Sequence, residues 1–168
     1  MLHVCSLGRL HQTVTETGAD HVVTLLRDVH LVTRPQTILE ANHLILSMDD
    51  IAEPTSGFVE PVDTHVDELV TFVRRWPRAK PLVVHCYAGI SRSTAGAFVA
   101  ACALSPGRSE FQIAAQLRKL SSTASPNLRI VAIADRLLAR NGRMVEAVAA
   151  IGPGQPAYEA LPFRLALD

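Results

Sequence analysis

The stretch from His85 to Thr94 reads HCYAGISRST and carries more chemistry than packing asks for. Cys86 is a nucleophile once it loses its proton. Arg92, six positions later, carries a permanent planar charge that can hold two phosphate oxygens together. If a strand ends at Cys86 and a helix starts near Arg92, the backbone between them curls beside the positive end of a helix dipole. The N–H groups of Tyr87, Ala88, Gly89, Ile90 and Ser91 then converge on one point, with Arg92 closing the ring, and bind an anion of phosphate shape. Gly89 lets the loop turn where a side chain would clash. The same field can lower a thiol pKa to roughly 3.5–7.5, so Cys86 is expected as a thiolate at neutral pH. A nucleophile and an oxyanion cradle built from one turn lead to a cysteinyl-phosphate intermediate. Ser93 is placed to donate a hydrogen bond to the sulfur when it departs, and His85 to orient the loop from behind.

Such a loop needs a strand before it and a helix after it. PLVVH (81–85) is a short apolar strand opened by proline, and SRSTAGAFVAACAL (91–104) is small and apolar nearly all round, a buried helix from about Arg92. Upstream, LHVCSL (2–7), HVVTLL (21–26) and HLILSM (43–48) read as strands. A short helix around Thr13 to Thr17 separates the first two and stops at Gly18. DDIAEPTSGFVEP (49–61) is a loop marked by two prolines and a glycine. From Val62 the period turns helical: Val66, Leu69, Val70, Val73 and Trp76 form one apolar stripe. Asp63, Asp67 and Glu68 lie early in it and Arg74 and Arg75 late, as the helix dipole favours, and Pro77 ends it.

Further on, SEFQ (109–112) is a capping box opening a helix whose buried face carries Phe111, Ala114, Leu117 and Leu120. SPN (125–127) sets Ser125 as N-cap and Pro126 at the first helical position. That helix runs through Val131, Ala134 and Leu138 to a stop at Asn141 and Gly142. The tail adds a short helical patch, RMVEAVAAIG (143–152), and an edge strand, PFRLAL (162–167). The pattern predicts an α/β fold, a central, mainly parallel twisted sheet of four to five strands with helices on both faces.

With 168 residues, 48% of them hydrophobic and 19% charged, the chain is long enough for one substantial core and too apolar for disorder. It reads as a single domain, residues 1–168, with 141–168 as an extension. Sixteen basic and sixteen acidic side chains cancel, so nothing draws the whole molecule to nucleic acid or an anionic membrane, and anion binding must be local. The start lacks the basic leader and apolar core of a signal peptide. Three cysteines, Cys5, Cys86 and Cys102, are odd in number and sparse, which fits a reducing cytoplasm. Cys5 and Cys102 sit on apolar elements and read as core thiols; a disulfide protecting Cys86 from over-oxidation is the minor alternative. The histidines at 3, 11, 21, 30, 43 and 65 show no metal-ligand spacing, and neither a metal nor another cofactor is expected.

A cysteine preceded by histidine and followed after five residues by Arg-Ser resembles the protein tyrosine phosphatase superfamily, and the AGISRS form resembles its dual-specificity branch. A weaker likeness spans roughly residues 1–140, the SPN stretch included; the last 28 residues carry none. The resemblance implies a three-layer phosphatase fold, a phosphorylated protein or peptide as substrate, and metal-independent hydrolysis of phosphotyrosine, with phosphoserine and phosphothreonine open to it as well. It also implies a general acid, an aspartate on an upstream loop, that protonates the leaving oxygen and then activates water. Asp50 lies four positions before Pro54, the spacing the resemblance selects, and Asp49 is the rival.

Blander and competing readings are weighed on the same residues. Cys86 could be a buried small hydrophobe, but Arg92 would then have no purpose. Asp49 and Asp50 could be mere turn formers. A serine-hydrolase elbow needs glycine where Ser93 stands, and no Gly-Lys-Ser/Thr nucleotide loop occurs. A phosphoinositide specialist would put lysines in the loop, where Tyr87, Ala88 and Ile90 are uncharged. Other non-protein phosphoesters stay open. A phosphate-binding module without turnover would need a lost nucleophile or acid, and a sulfur-transfer enzyme finds no support outside the loop.

Overall fold

The computed structural model describes residues 1–167. Five strands, β1 (Leu2–Ser6), β2 (His21–Leu25), β3 (His43–Leu46), β4 (Leu82–Cys86) and β5 (Phe163–Leu165), form one sheet in the order β3-β2-β4-β1-β5. β1, β2, β3 and β4 pair in parallel, and β5 joins the β1 edge antiparallel. The expected mainly parallel sheet is therefore present, and the tail supplies its edge strand.

Side chains alternate across each strand, so the two faces build separate cores. Leu82, Val84 and Cys86 join Leu2, Val4, Val23 and Leu25 on one face. Above them lie α2 (Asp63–Arg75), α3 (Arg92–Leu104), α4 (Glu110–Leu120), α5 (Leu128–Leu137) and α6 (Arg143–Ile151). Val83, Cys5 and Val22 pack on the other face against Leu10 and Val14 of α1 (Leu10–Thr17). Helix α3 is buried along almost its whole length. It can lie this close because Gly96 has no side chain: a Cβ there would sit 2.6 Å from Leu25 Cδ1 and 3.1 Å from Val84 Cγ1. No helix among the described residues is long and apolar enough to cross a membrane.

Four expectations are corrected. The buried side of α4 is Glu110, Ile113, Ala114 and Leu117, with Phe111 and Leu120 exposed. The helix is rotated because Arg140 Nη1 and Arg143 Nε reach the Glu110 carboxylate, at 3.0 and 3.3 Å, and bury it against α6. Ser109 does precede α4 but makes no side-chain cap. The N-cap of α5 is Asn127 rather than Ser125: its Oδ1 accepts from the N–H groups of Arg129 and Ile130, both at 3.1 Å. Ser125 is drawn elsewhere, its N–H bonding Ile90 O at 3.0 Å. Finally, α5 stops at Leu137, before Asn141 and Gly142. The Asp135 carboxylate takes the N–H groups of Gly142 (2.7 Å) and Met144 (2.8 Å), which turns the chain early and starts α6.

Candidate active site

β4 delivers Cys86 to the carboxyl end of the parallel strands, where ligands of open α/β sheets collect. Residues 87–91 then curl into the first turn of α3, whose positive dipole end faces the loop. Each loop carbonyl named here is taken from outside. Leu7 N–H bonds Tyr87 O (3.1 Å), Ala160 N–H bonds Ala88 O (2.9 Å), and Asn127 N–H bonds Ser91 O (3.4 Å), alongside the Ser125 contact to Ile90 O. With the carbonyls held outward, the amides are left over. None of the N–H groups of residues 87–91 has an acceptor among the described residues. Gly89 has φ +77°, and a Cβ there would fall 2.9 Å from Ser6 N and 3.0 Å from Cys5 C. The loop is thus pressed against the end of β1.

Cys86 is buried, and its Sγ lies 3.1 Å from Ser93 Oγ. Arg92 is only 8% exposed; its Nη1 donates to Met48 O at 2.8 Å, while its buried Nε finds no hydrogen-bond acceptor. A buried guanidinium N–H without an acceptor is costly, and it marks a place for an oxyanion. Asp50 stands over the same loop, with Oδ2 3.8 Å from Arg92 Nε and Oδ1 accepting from Ser91 Oγ (2.7 Å) and Asn127 Nδ2 (2.8 Å). Asp49 faces away: its Oδ2 accepts from Val59 N–H at 2.7 Å and lies 3.6 Å from Arg27 Nε.

Behind the loop, His85 is fully buried, and its Nε2 lies 2.7 Å from Thr24 Oγ1 on the neighbouring strand. The same hydroxyl lies 2.8 Å from His43 Nε2. One hydroxyl proton cannot serve both rings, so Thr24 donates to one imidazole and accepts from the other. Burial pushes the His85 imidazole down to about 4, keeping it neutral. Cys5 and Cys102 are free, buried thiols pushed up to about 12 by burial, inert core residues as expected.

The structure thus brings His85, Cys86, the 87–91 backbone, Arg92, Ser93 and Asp50 together and leaves Asp49 outside the group. Asn127, which ties Asp50 to the start of α5, was not anticipated as a site residue. Its signal was the SPN stretch, whose cap is the asparagine. Thr24 and Ala160 were missed too, since nothing local in sequence marks a strand threonine or a backbone N–H as loop supports. No cluster of three or more His, Cys, Asp or Glu able to hold a metal occurs among the described residues.

The fold is similar to that of solved tyrosine phosphatase-like and dual-specificity phosphatase structures. Solved structures that share it include human tyrosine phosphatase-like serine/threonine/tyrosine-interacting protein, with TM-score 0.64 and 17% identity over 83% of this chain and 92% of that one. Human DUSP28 superposes with TM-score 0.62 and 18% identity over 89% and 94%. PTPMT1 in complex with PI(5)P gives 0.60 and 15% over 90% and 92%. At these identities the likeness is one of fold. No family model and no curated protein matches the sequence.

Proposed function

We propose that the protein is a cysteine-dependent phosphatase of the cytoplasm that hydrolyses phosphotyrosine in protein or peptide substrates, with phosphoserine and phosphothreonine as further substrates. One observation carries this reading. A set of hydrogen-bond donors that find no acceptor among the described residues, the amides of residues 87–91 and the buried Nε of Arg92, follows Cys86 directly in the chain at the carboxyl end of the parallel strands. Donors held open in this way are preorganised for the equatorial oxygens of a transferring phosphoryl group.

The Cys86 sulfur anion attacks phosphorus in line and the bond to the leaving oxygen breaks. Asp50 gives that oxygen its proton, so the phenol or alcohol departs neutral. The carboxylate then takes a proton from water, which attacks the cysteinyl phosphate; inorganic phosphate leaves, and the sulfur recovers its electron pair. Ser93, 3.1 Å away, donates a hydrogen bond to the departing sulfur. Arg92 is the sole charged side chain of the loop and holds two phosphoryl oxygens.

The test is hydrolysis of p-nitrophenyl phosphate with EDTA present, by the native protein and by Cys86→Ser. The native protein should turn over. The variant should lose turnover and still bind tungstate, whereas undiminished turnover in Cys86→Ser would remove the nucleophile. Binding of phosphopeptide with no turnover by the native protein would instead mark a phosphate-binding module.

A further inference from the structure

The C-terminal tail does more than close the sheet edge. Between α6 and β5 it runs past the phosphate loop, pinned by Ala160 N–H to Ala88 O at 2.9 Å and by a hydrogen bond from Ser6 Oγ to Glu159 Oε1. Tail and loop together enclose a cleft of about 390 Å³ lined by Leu7, Gly8, Tyr87, Ala88, Tyr158 and Glu159. Tyr87 directly follows Cys86, so this cleft shares a wall with the anion cradle.

Its lining has a distinct chemistry. Tyr158 is fully exposed and Tyr87 is 62% exposed, two aromatic rings that folding leaves in water. Glu159 is exposed, and no lysine, arginine or histidine pairs with it among the described residues. Its Oε2 accepts no hydrogen bond among the described residues, and Gly8 packs close to Oε1 on the other side. A carboxylate held by Ser6 in a cleft that also carries two exposed tyrosines suits a planar cation: the carboxylate takes the charge and the rings are free to stack on a flat guanidinium. The same carboxylate repels a second phosphate, so a polyphosphorylated headgroup is disfavoured.

Resting on the phosphatase reading above, we infer that the Tyr87–Tyr158–Glu159 cleft is a specificity subsite that receives an arginine side chain within two residues of the phosphorylated residue of a protein substrate. An extended peptide advances about 3.3–3.6 Å per residue, so a neighbouring side chain reaches this wall while the phosphate sits over Cys86. The selectivity is local, because the chain as a whole carries no net charge to steer it.

The experiment compares phosphotyrosine peptides in which arginine, alanine or glutamate is scanned through the two positions on either side of the phosphoresidue. For each position the readout is the ratio of kcat/KM for the arginine peptide to that for the alanine peptide, which cancels any change in the chemical step itself. One position should give a ratio of roughly ten in the native protein. It should fall close to one in Glu159→Gln, whose amide oxygen keeps the Ser6 hydrogen bond, and fall in Tyr158→Ala, which removes a solvent-exposed ring. The corresponding ratio of Kd values on Cys86→Ser needs no turnover. A native protein that hydrolyses no phosphopeptide therefore overturns the phosphatase reading alone, and the Kd ratio still decides the cleft. No arginine preference at any position, a preference unmoved by both substitutions, or tighter use of PI(5)P vesicles than of the arginine peptide would each overturn the subsite.

Discussion

Asp49 and Asp50 are neighbours in the chain with different employment. Asp49 Oδ2 takes the Val59 N–H and sits near Arg27, which closes the turn of its own loop. Asp50 is held over the 87–91 loop by Ser91 and Asn127, 3.8 Å from Arg92 Nε. On the proposed reading the acid must lie within reach of the leaving oxygen, and of the two aspartates Asp50 is the one beside Arg92. Asp50→Asn should lower kcat by about 10²–10⁴-fold and flatten the limb of the pH–rate profile that requires a protonated acid. Asp49→Asn should leave that limb in place and act through stability, because Val59 N–H loses a charged acceptor. A flattened limb in Asp49→Asn with a normal one in Asp50→Asn would reverse the assignment.

At the scale of the element, the 87–91 loop is shaped from outside. The turn after β1 and the tail each give one N–H to its carbonyls and the segment before α5 gives two, and β1 fills the space beneath Gly89. Gly89→Ala should therefore be harmful twice over. The left-handed φ costs a non-glycine residue about 1–2 kcal/mol. The new Cβ meets backbone of Cys5 and Ser6, which cannot swing aside as a flexible side chain would. Thermal denaturation should show a lowered Tm, and a loop displaced by about an ångström should lose roughly 10²-fold in kcat/KM. Full activity in Gly89→Ala would mean that the amide array is not held by this contact.

At the scale of the whole molecule, the sheet buries a chain of polar groups across three strands, from His43 on β3 through Thr24 on β2 to His85 on β4. Burial holds both imidazoles down to about 4, against an ordinary value of 6.5. Between these pH values the unfolded chain binds more protons than the folded one, so stability rises with pH across the window and is lost as pH falls through it. Urea unfolding followed from neutrality to about pH 4 should show this decline, with a shallower slope in His85→Gln; an unchanged slope would dissociate acid lability from this histidine.

The strands, the buried helix after Cys86 and the six-residue step to Arg92 were legible because they are local: strand and helix periods, and a loop whose chemistry is contained in its own residues. The same locality explains what was misread. The face of α4 was set by two arginines from the turn before α6 and the start of α6 itself. The start of α5 was set by Ser125 bonding a distant carbonyl. Neither contact leaves a periodic trace. Sequence alone therefore determined which residues could carry phosphoryl chemistry and in what class of fold. The tertiary structure decided which aspartate stands beside Arg92, what holds the loop amides open, and that the tail lies against the same loop, since each depends on groups brought together from far apart in the chain.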